Sequence, residues 1–81
     1  MTLDELKKRL HDHNVPERWY SLDNGLKSDA IILYKNYYKW EYFYFDEKGN
    51  RLQQKTFDKE EEAFDYFWEK ILRELQFFKR L

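Results

Sequence analysis

Polar and apolar positions alternate most clearly in Lys39-Trp40-Glu41-Tyr42-Phe43-Tyr44-Phe45. Five aromatics in seven residues, with charges two apart at its start, predict a strand, because aromatic side chains fit a pleated surface. Ala30-Ile31-Ile32-Leu33-Tyr34-Lys35 predicts another. Asn36-Tyr37 is the expected turn between them, so the central strand runs over about Tyr38–Phe45. Asp46-Glu47-Lys48-Gly49-Asn50 predicts a hairpin loop, with Gly49 suited to a left-handed position. Arg51–Phe57 then returns as the last strand. Upstream, Trp19-Tyr20-Ser21-Leu22 is a short candidate strand before Asp23-Asn24-Gly25, a turn signal because Asn and Gly tolerate positive φ.

Helical periodicity brackets these strands. Leu3, Leu6 and Leu10 repeat at helical spacing behind Thr2-Leu3-Asp4-Glu5, which has the form of a capping box. Val15-Pro16 stops this helix, placed at Leu3–His13. Three leucines make a stripe wide enough to dock on a sheet but not to stand alone. The second helix is placed from Lys59 to Phe77, with Asp58 as its cap. Ala63, Phe64, Phe67, Trp68, Ile71, Leu72, Leu75 and Phe78 form its apolar face. Glu60, Glu61 and Glu62 open it, while Lys70, Arg73, Lys79 and Arg80 lie towards its end, an order that suits the helix dipole. The expected fold is a single α+β domain of order α-β-(β)-β-β-α. Its sheet is an antiparallel meander of three to four strands, with both helices on one face.

Counting outward from the turns gives a register. A turn at Asn36-Tyr37 sets Leu33 opposite Trp40 and Ile31 opposite Tyr42. A loop at Glu47-Lys48-Gly49 sets Tyr44 opposite Leu52, Phe43 opposite Gln53 and Glu41 opposite Lys55. The core face is then Ile31, Leu33, Trp40, Tyr42, Tyr44 and Leu52. The outer face carries Ile32, Tyr34, Lys39, Glu41, Phe43, Phe45, Arg51, Gln53, Lys55 and Phe57, a mixed rather than plainly solvated set.

Composition sharpens this picture. Eighty-one residues lie near the lower limit for a self-sufficient core, and there is no Cys to form a disulfide or a thiolate–zinc site. The 21% aromatic content supplies the missing burial, since each ring can remove roughly 150–250 Å² from water. A net charge of −1 gives no basic footprint for nucleic acid. No signal-peptide core and no run of ~20 apolar residues is found, so a cytoplasmic location is expected.

Candidate chemistry is sparse. In His11-Asp12-His13 the imidazoles are two apart, about 200° from each other around a helix, and cannot share an ion. Two glycines leave no phosphate loop, and Ser21 and Ser28 lack a nucleophile's strand–turn–helix setting. No enzyme activity, metal or cofactor is expected. Two surfaces remain as partner-binding candidates. One is the acidic helix start: Asp58, Glu60, Glu61, Glu62 and Asp65, with Tyr66 beside them. The other is the outer sheet face: Tyr34, Lys39, Phe43, Phe45, Arg51 and Lys55. That face suits a protein interface, a homodimer, or base stacking in a single-strand nucleic-acid binder.

The element order resembles the double-stranded-RNA-binding domain, a family that grips phosphates with lysines at the start of its last helix. Here that position reads Asp58-Lys59-Glu60-Glu61-Glu62, and acid there repels a phosphate backbone. A second resemblance rests on Val15-Pro16-Glu17-Arg18-Trp19-Tyr20-Ser21-Leu22, Gly25-Leu26-Lys27-Ser28-Asp29-Ala30, Lys39-Trp40-Glu41, Gly49, Thr56-Phe57-Asp58 and Glu61-Glu62-Ala63-Phe64. Over about Val15 to Phe67 the chain resembles small bacterial immunity proteins of polymorphic-toxin and contact-dependent inhibition systems. The resemblance implies a cytoplasmic protein that binds and neutralises a cognate toxin domain. It carries over no binding residues.

Overall fold

The computed structural model describes residues 1–79, the last two in backbone only. Helix α1 spans Leu3–Asp12, a 3-10 turn spans Glu17–Trp19, and the strands are β1 (Tyr20–Leu22), β2 (Ala30–Asn36), β3 (Lys39–Phe45) and β4 (Arg51–Phe57). Helix α2 spans Glu60–Lys79. The order is α-β-β-β-β-α, with the sheet ordered β1-β2-β3-β4. The side chains of Phe78 and Lys79, and Arg80 as a whole, expected on the apolar face and basic end of α2, lie outside the described residues.

Local chemistry sets the ends of α1. The Thr2 hydroxyl accepts from the Glu5 N–H at 3.2 Å and faces the Glu5 carboxylate at 3.4 Å. At the other end Asn14 takes a left-handed conformation, φ 55°. The Asn14 and Val15 N–H groups bond the His11 and Leu10 carbonyls, each at 3.0 Å, closing a Schellman motif with Asn in the usual glycine place. At α2, the Ala63 N–H bonds the Lys59 carbonyl, so Lys59 rather than the expected Asp58 holds the cap position.

The β2–β3 hairpin turns at Tyr37-Tyr38, one residue later than expected. Asn36 therefore stays in the strand, opposite Lys39, and the pairing slides by two: Leu33 faces Tyr42 and Ile31 faces Tyr44. A slip of two preserves every side chain's face. The second hairpin begins as expected, with Tyr44 opposite Leu52, and the Asp46 carboxylate accepts from the Lys48 and Asn50 N–H groups across its loop. The register then breaks between Tyr42 and Tyr44, where Gln53 takes φ 54°. Beyond this bulge Tyr42 faces Lys55, Glu41 faces Thr56, and Trp40 faces Phe57. The expected pairs Glu41–Lys55 and Phe43–Gln53 do not form.

The bulge has a packing reason. Leu52 and Phe57 are five residues apart, so strict alternation would put them on opposite faces. One extra residue brings Phe57 round to the helix side, where its ring meets Tyr66 at 5.3 Å. Lys55 turns with it. Regular alternation predicts both on the outer face, and both lie on the helix side.

Strand β1 also departs from the expected meander. It pairs parallel to β2, Tyr20 with Ile31 and Leu22 with Leu33. With only three residues in β1, the connection over 23–29 is long enough to carry the chain back to the start of β2. Gly25, at φ 85°, and the Ser21 hydroxyl, which donates to the Gly25 carbonyl at 2.8 Å, shape the start of that return.

The main core lies between helices and sheet. Leu6 and Leu10 of α1 meet Phe64, Phe67 and Ile71 of α2 and Ile31, Leu33, Trp40 and Tyr42 of the sheet. Trp40 stands edge-on to Phe64 at 5.0 Å, and Tyr42 to Tyr66 at 4.8 Å. Leu52, expected in this core, is 45% exposed, because β4 is open along nearly its whole length.

Candidate protein-binding surfaces

The outer sheet face is less available than its sequence suggests. Ala30, Ile32 and Phe43 form a second small core there, with Tyr34 and Phe45 packed around it. Phe43 is 0% exposed, so it is a buried ring and not a stacking platform. The crossover loop runs over this face: Asp23, Gly25 and Leu26 share a crevice of about 280 Å³ with Ile32, Tyr34 and Arg51. Arg51 completes the cover, its guanidinium 4.5 Å from the Phe43 ring centre.

Beside this small core lies a closed polar network. Glu41 accepts from the Tyr34 hydroxyl, from Asn36 Nδ2 at 3.1 Å and from Gln54 Nε2 at 3.2 Å. The bond from Tyr34 holds the Glu41 carboxyl below its ordinary range, against the opposing pull of burial, and the Asn36 and Gln54 bonds help. The same bond to Glu41 pushes the Tyr34 hydroxyl up. With its carboxylate engaged from three sides, Glu41 serves the fold.

The acidic helix start is placed differently. Trp40 pairs with Phe57, so the strand ends, the β2–β3 turn and the first turn of α2 come to one end of the sheet. Lys39 Nζ lies 3.9 Å from the Asp58 carboxylate, a wide, exposed ion pair across that junction. Asp58, Glu60, Glu61, Glu62 and Asp65 are all exposed. At the same end of the sheet the turn presents Tyr37 and Tyr38, 90% and 74% exposed. The sequence pattern puts Tyr37 in the turn and Tyr38 at the start of the central strand, and neither position marks a binding side chain. Their place at the same end as the acidic residues depends on the fold.

Tyr66 stands apart from this surface. It is half-buried against Tyr42 and Phe57, with Lys55 and Lys70 ammonium groups 5.2 and 5.3 Å from its ring centre. Its part is in packing and in holding two cations, beside an acidic first turn it does not join. Burial pushes the neighbouring Tyr42 hydroxyl up to about 12. At the end of α1, His13 Nδ1 lies 2.9 Å from the Arg9 carbonyl and its ring stands edge-on to Trp68 at 4.9 Å. That histidine ties α1 to α2. Among the described residues no group of three or more His, Asp or Glu side chains is gathered as a metal-ligand set. None of their helices is long and apolar enough to cross a membrane.

The molecule is thus a small α+β domain with the exposed Tyr37 and Tyr38 at the same end of its sheet as the exposed first turn of α2. No family model matches the chain, and no significant match occurs among curated proteins or solved structures.

Proposed function

We propose that the chain is a non-enzymatic protein-binding module that neutralises a cognate toxin domain, using the hairpin end of its sheet. The observation that carries the binding reading is that the exposed Tyr37 and Tyr38 lie at the same end of the sheet as the exposed Asp58, Glu60, Glu61 and Glu62. Exposed tyrosines supply stiff apolar contact area, and neighbouring carboxylates steer a basic partner. The resemblance to immunity proteins supplies the toxin as partner class. A nuclease cleft, basic because it holds phosphate, is the kind of surface such an end complements. Base stacking on the outer face is the weaker reading, because Phe43 lies beneath that surface.

A pull-down from lysate of the source organism tests this, with the wild-type chain and a Glu60→Lys/Glu61→Lys/Glu62→Lys variant as baits. One stoichiometric, salt-sensitive protein is expected on the wild type and lost from the variant, whose unfolding midpoint stays nearly unchanged. Expression of that protein alone should arrest growth, and co-expression of this chain should relieve the arrest. Recovery of nucleic acid alone, or a partner indifferent to the charge reversal, would refute the proposal.

A further inference from the structure

Among the described residues five non-glycine positions adopt positive φ, and four of them have a visible reason. Asn14, Asp23 and Asp29 are residue types whose short polar side chains tolerate that region. Gln53 makes the bulge that brings Phe57 to the helix side. Tyr37, at φ 59°, has no such return. It is the first residue of a two-residue hairpin turn, a position that favours Gly or Asn, and a β-carbon there is strained. Its ring is 90% exposed and makes no hydrogen bond or ring contact with the described residues. Its neighbour Tyr38, 74% exposed, has the Lys39 ammonium 5.8 Å from its ring centre. The fold thus holds an aromatic residue where it costs stability and gains no packing within the chain.

We infer that Tyr37 is an anchor residue that inserts into an apolar recess on a basic partner protein, with Tyr38 lying against the recess wall. Asp58, whose carboxylate lies 3.9 Å from Lys39 Nζ, and the exposed Glu60, Glu61 and Glu62 stand at the same end of the sheet as the turn and meet the cationic rim of that recess. The antiparallel pairing of β2 with β3 runs up to Asn36–Lys39, immediately before the turn, so the tip is held on a rigid ladder. Tyrosine has few rotatable bonds, so little side-chain freedom is lost when it is seated. The occupant is a folded protein rather than a nucleic acid, because the exposed carboxylates of the α2 start stand at the tip's end of the sheet. This inference rests on the reading of the hairpin end as the binding surface and adds the residue that specifies the fit.

The test places a photo-cross-linker in living cells of the source organism, as Tyr37→p-benzoylphenylalanine, with Lys48→p-benzoylphenylalanine in the opposite loop as control. One discrete adduct with a basic protein is expected from position 37 and none from position 48. Added wild-type chain should compete for that adduct at least tenfold better than a Tyr37→Gly chain, the loss typical of an anchor residue. Tyr37→Gly should at the same time raise the thermal midpoint by about 2–4 °C, since relief of the strained turn outweighs the added chain freedom. A pull-down partner that forms no adduct at position 37, or that Tyr37→Gly competes for equally well, overturns the anchor and leaves the binding reading intact. Absence of both adduct and pull-down partner defeats the two together.

Discussion

Phe43 and Glu41 lie on the same face of one strand and show how a side chain's neighbours decide its role. Phe43 is buried against Ala30 and Ile32 beneath the Arg51 guanidinium. Phe43→Ala removes a buried ring and leaves a cavity, so a loss of about 3–5 kcal/mol is expected in urea unfolding. A loss below about 1 kcal/mol would mean that the ring is exposed in solution after all. Glu41 offers a test by pH. Its folded-state pKa is depressed, chiefly by the Tyr34 hydroxyl. Its contribution is therefore complete above the unfolded value of about 4.3 and is lost as pH falls through the lower folded value. Wild type should exceed Glu41→Gln in stability at neutral pH, and the gap should narrow through this acid window. Urea midpoints taken at intervals from about pH 6 to about pH 2.5 would show it. A gap that is constant with pH would mean that Glu41 acts through shape alone.

At the scale of the element, β4 is the informative strand. Its sequence reads as regular alternation, and nothing in Gln53-Gln54 marks the bulge. The bulge exists because Phe57 gains more beside Tyr66 and Trp40 than the ladder loses at Gln53. Gln53→Val puts a β-branched residue at positive φ and should cost about 1–2 kcal/mol, whereas Gln53→Gly should be neutral or stabilising. Equal tolerance of both variants would show that β4 keeps regular alternation in solution. Deletion of Gln53 is expected to be worse than either substitution, since it would turn Lys55 and Phe57 to the outer face. Strand β1 has its own determinant. The Lys27 ammonium donates to the Glu17 and Tyr20 carbonyls at 3.0 and 3.1 Å and so fastens the crossover loop to the 3-10 turn and β1.

Across the whole molecule the net charge is −1. At the hairpin end Asp58, Glu60, Glu61 and Glu62 outnumber Lys35, Lys39 and Lys59 by one, while Lys55 and Lys70 flank Tyr66 and Arg73 pairs with Glu69 further along α2. A partner steered by the acidic end should associate more slowly as salt shortens the reach of charge to about 8 Å and below. Association rates of the recovered partner, taken from low to high ionic strength, are expected to fall steeply for wild type and weakly for the triple Lys variant. Parallel slopes would place binding elsewhere on the surface.

The alternation around Lys39–Phe45, the Thr2 cap, the Gly49 loop and the i, i+3, i+4 stripe of α2 determined the element order and most of the helix-side core. These are local signals, carried by the period of each element and by the chemistry of its ends. Even the misplaced turn at Asn36-Tyr37 kept the faces of β2 and β3, because an error of two is invisible to a period of two. Tertiary structure alone decided the parallel β1, the bulge at Gln53, the burial of Phe43 and the placement of Tyr37 and Tyr38 at the end of the sheet that holds the acidic helix start. Each depends on which distant segment offers the better burial or lies across a given face, and no window along the chain carries that comparison.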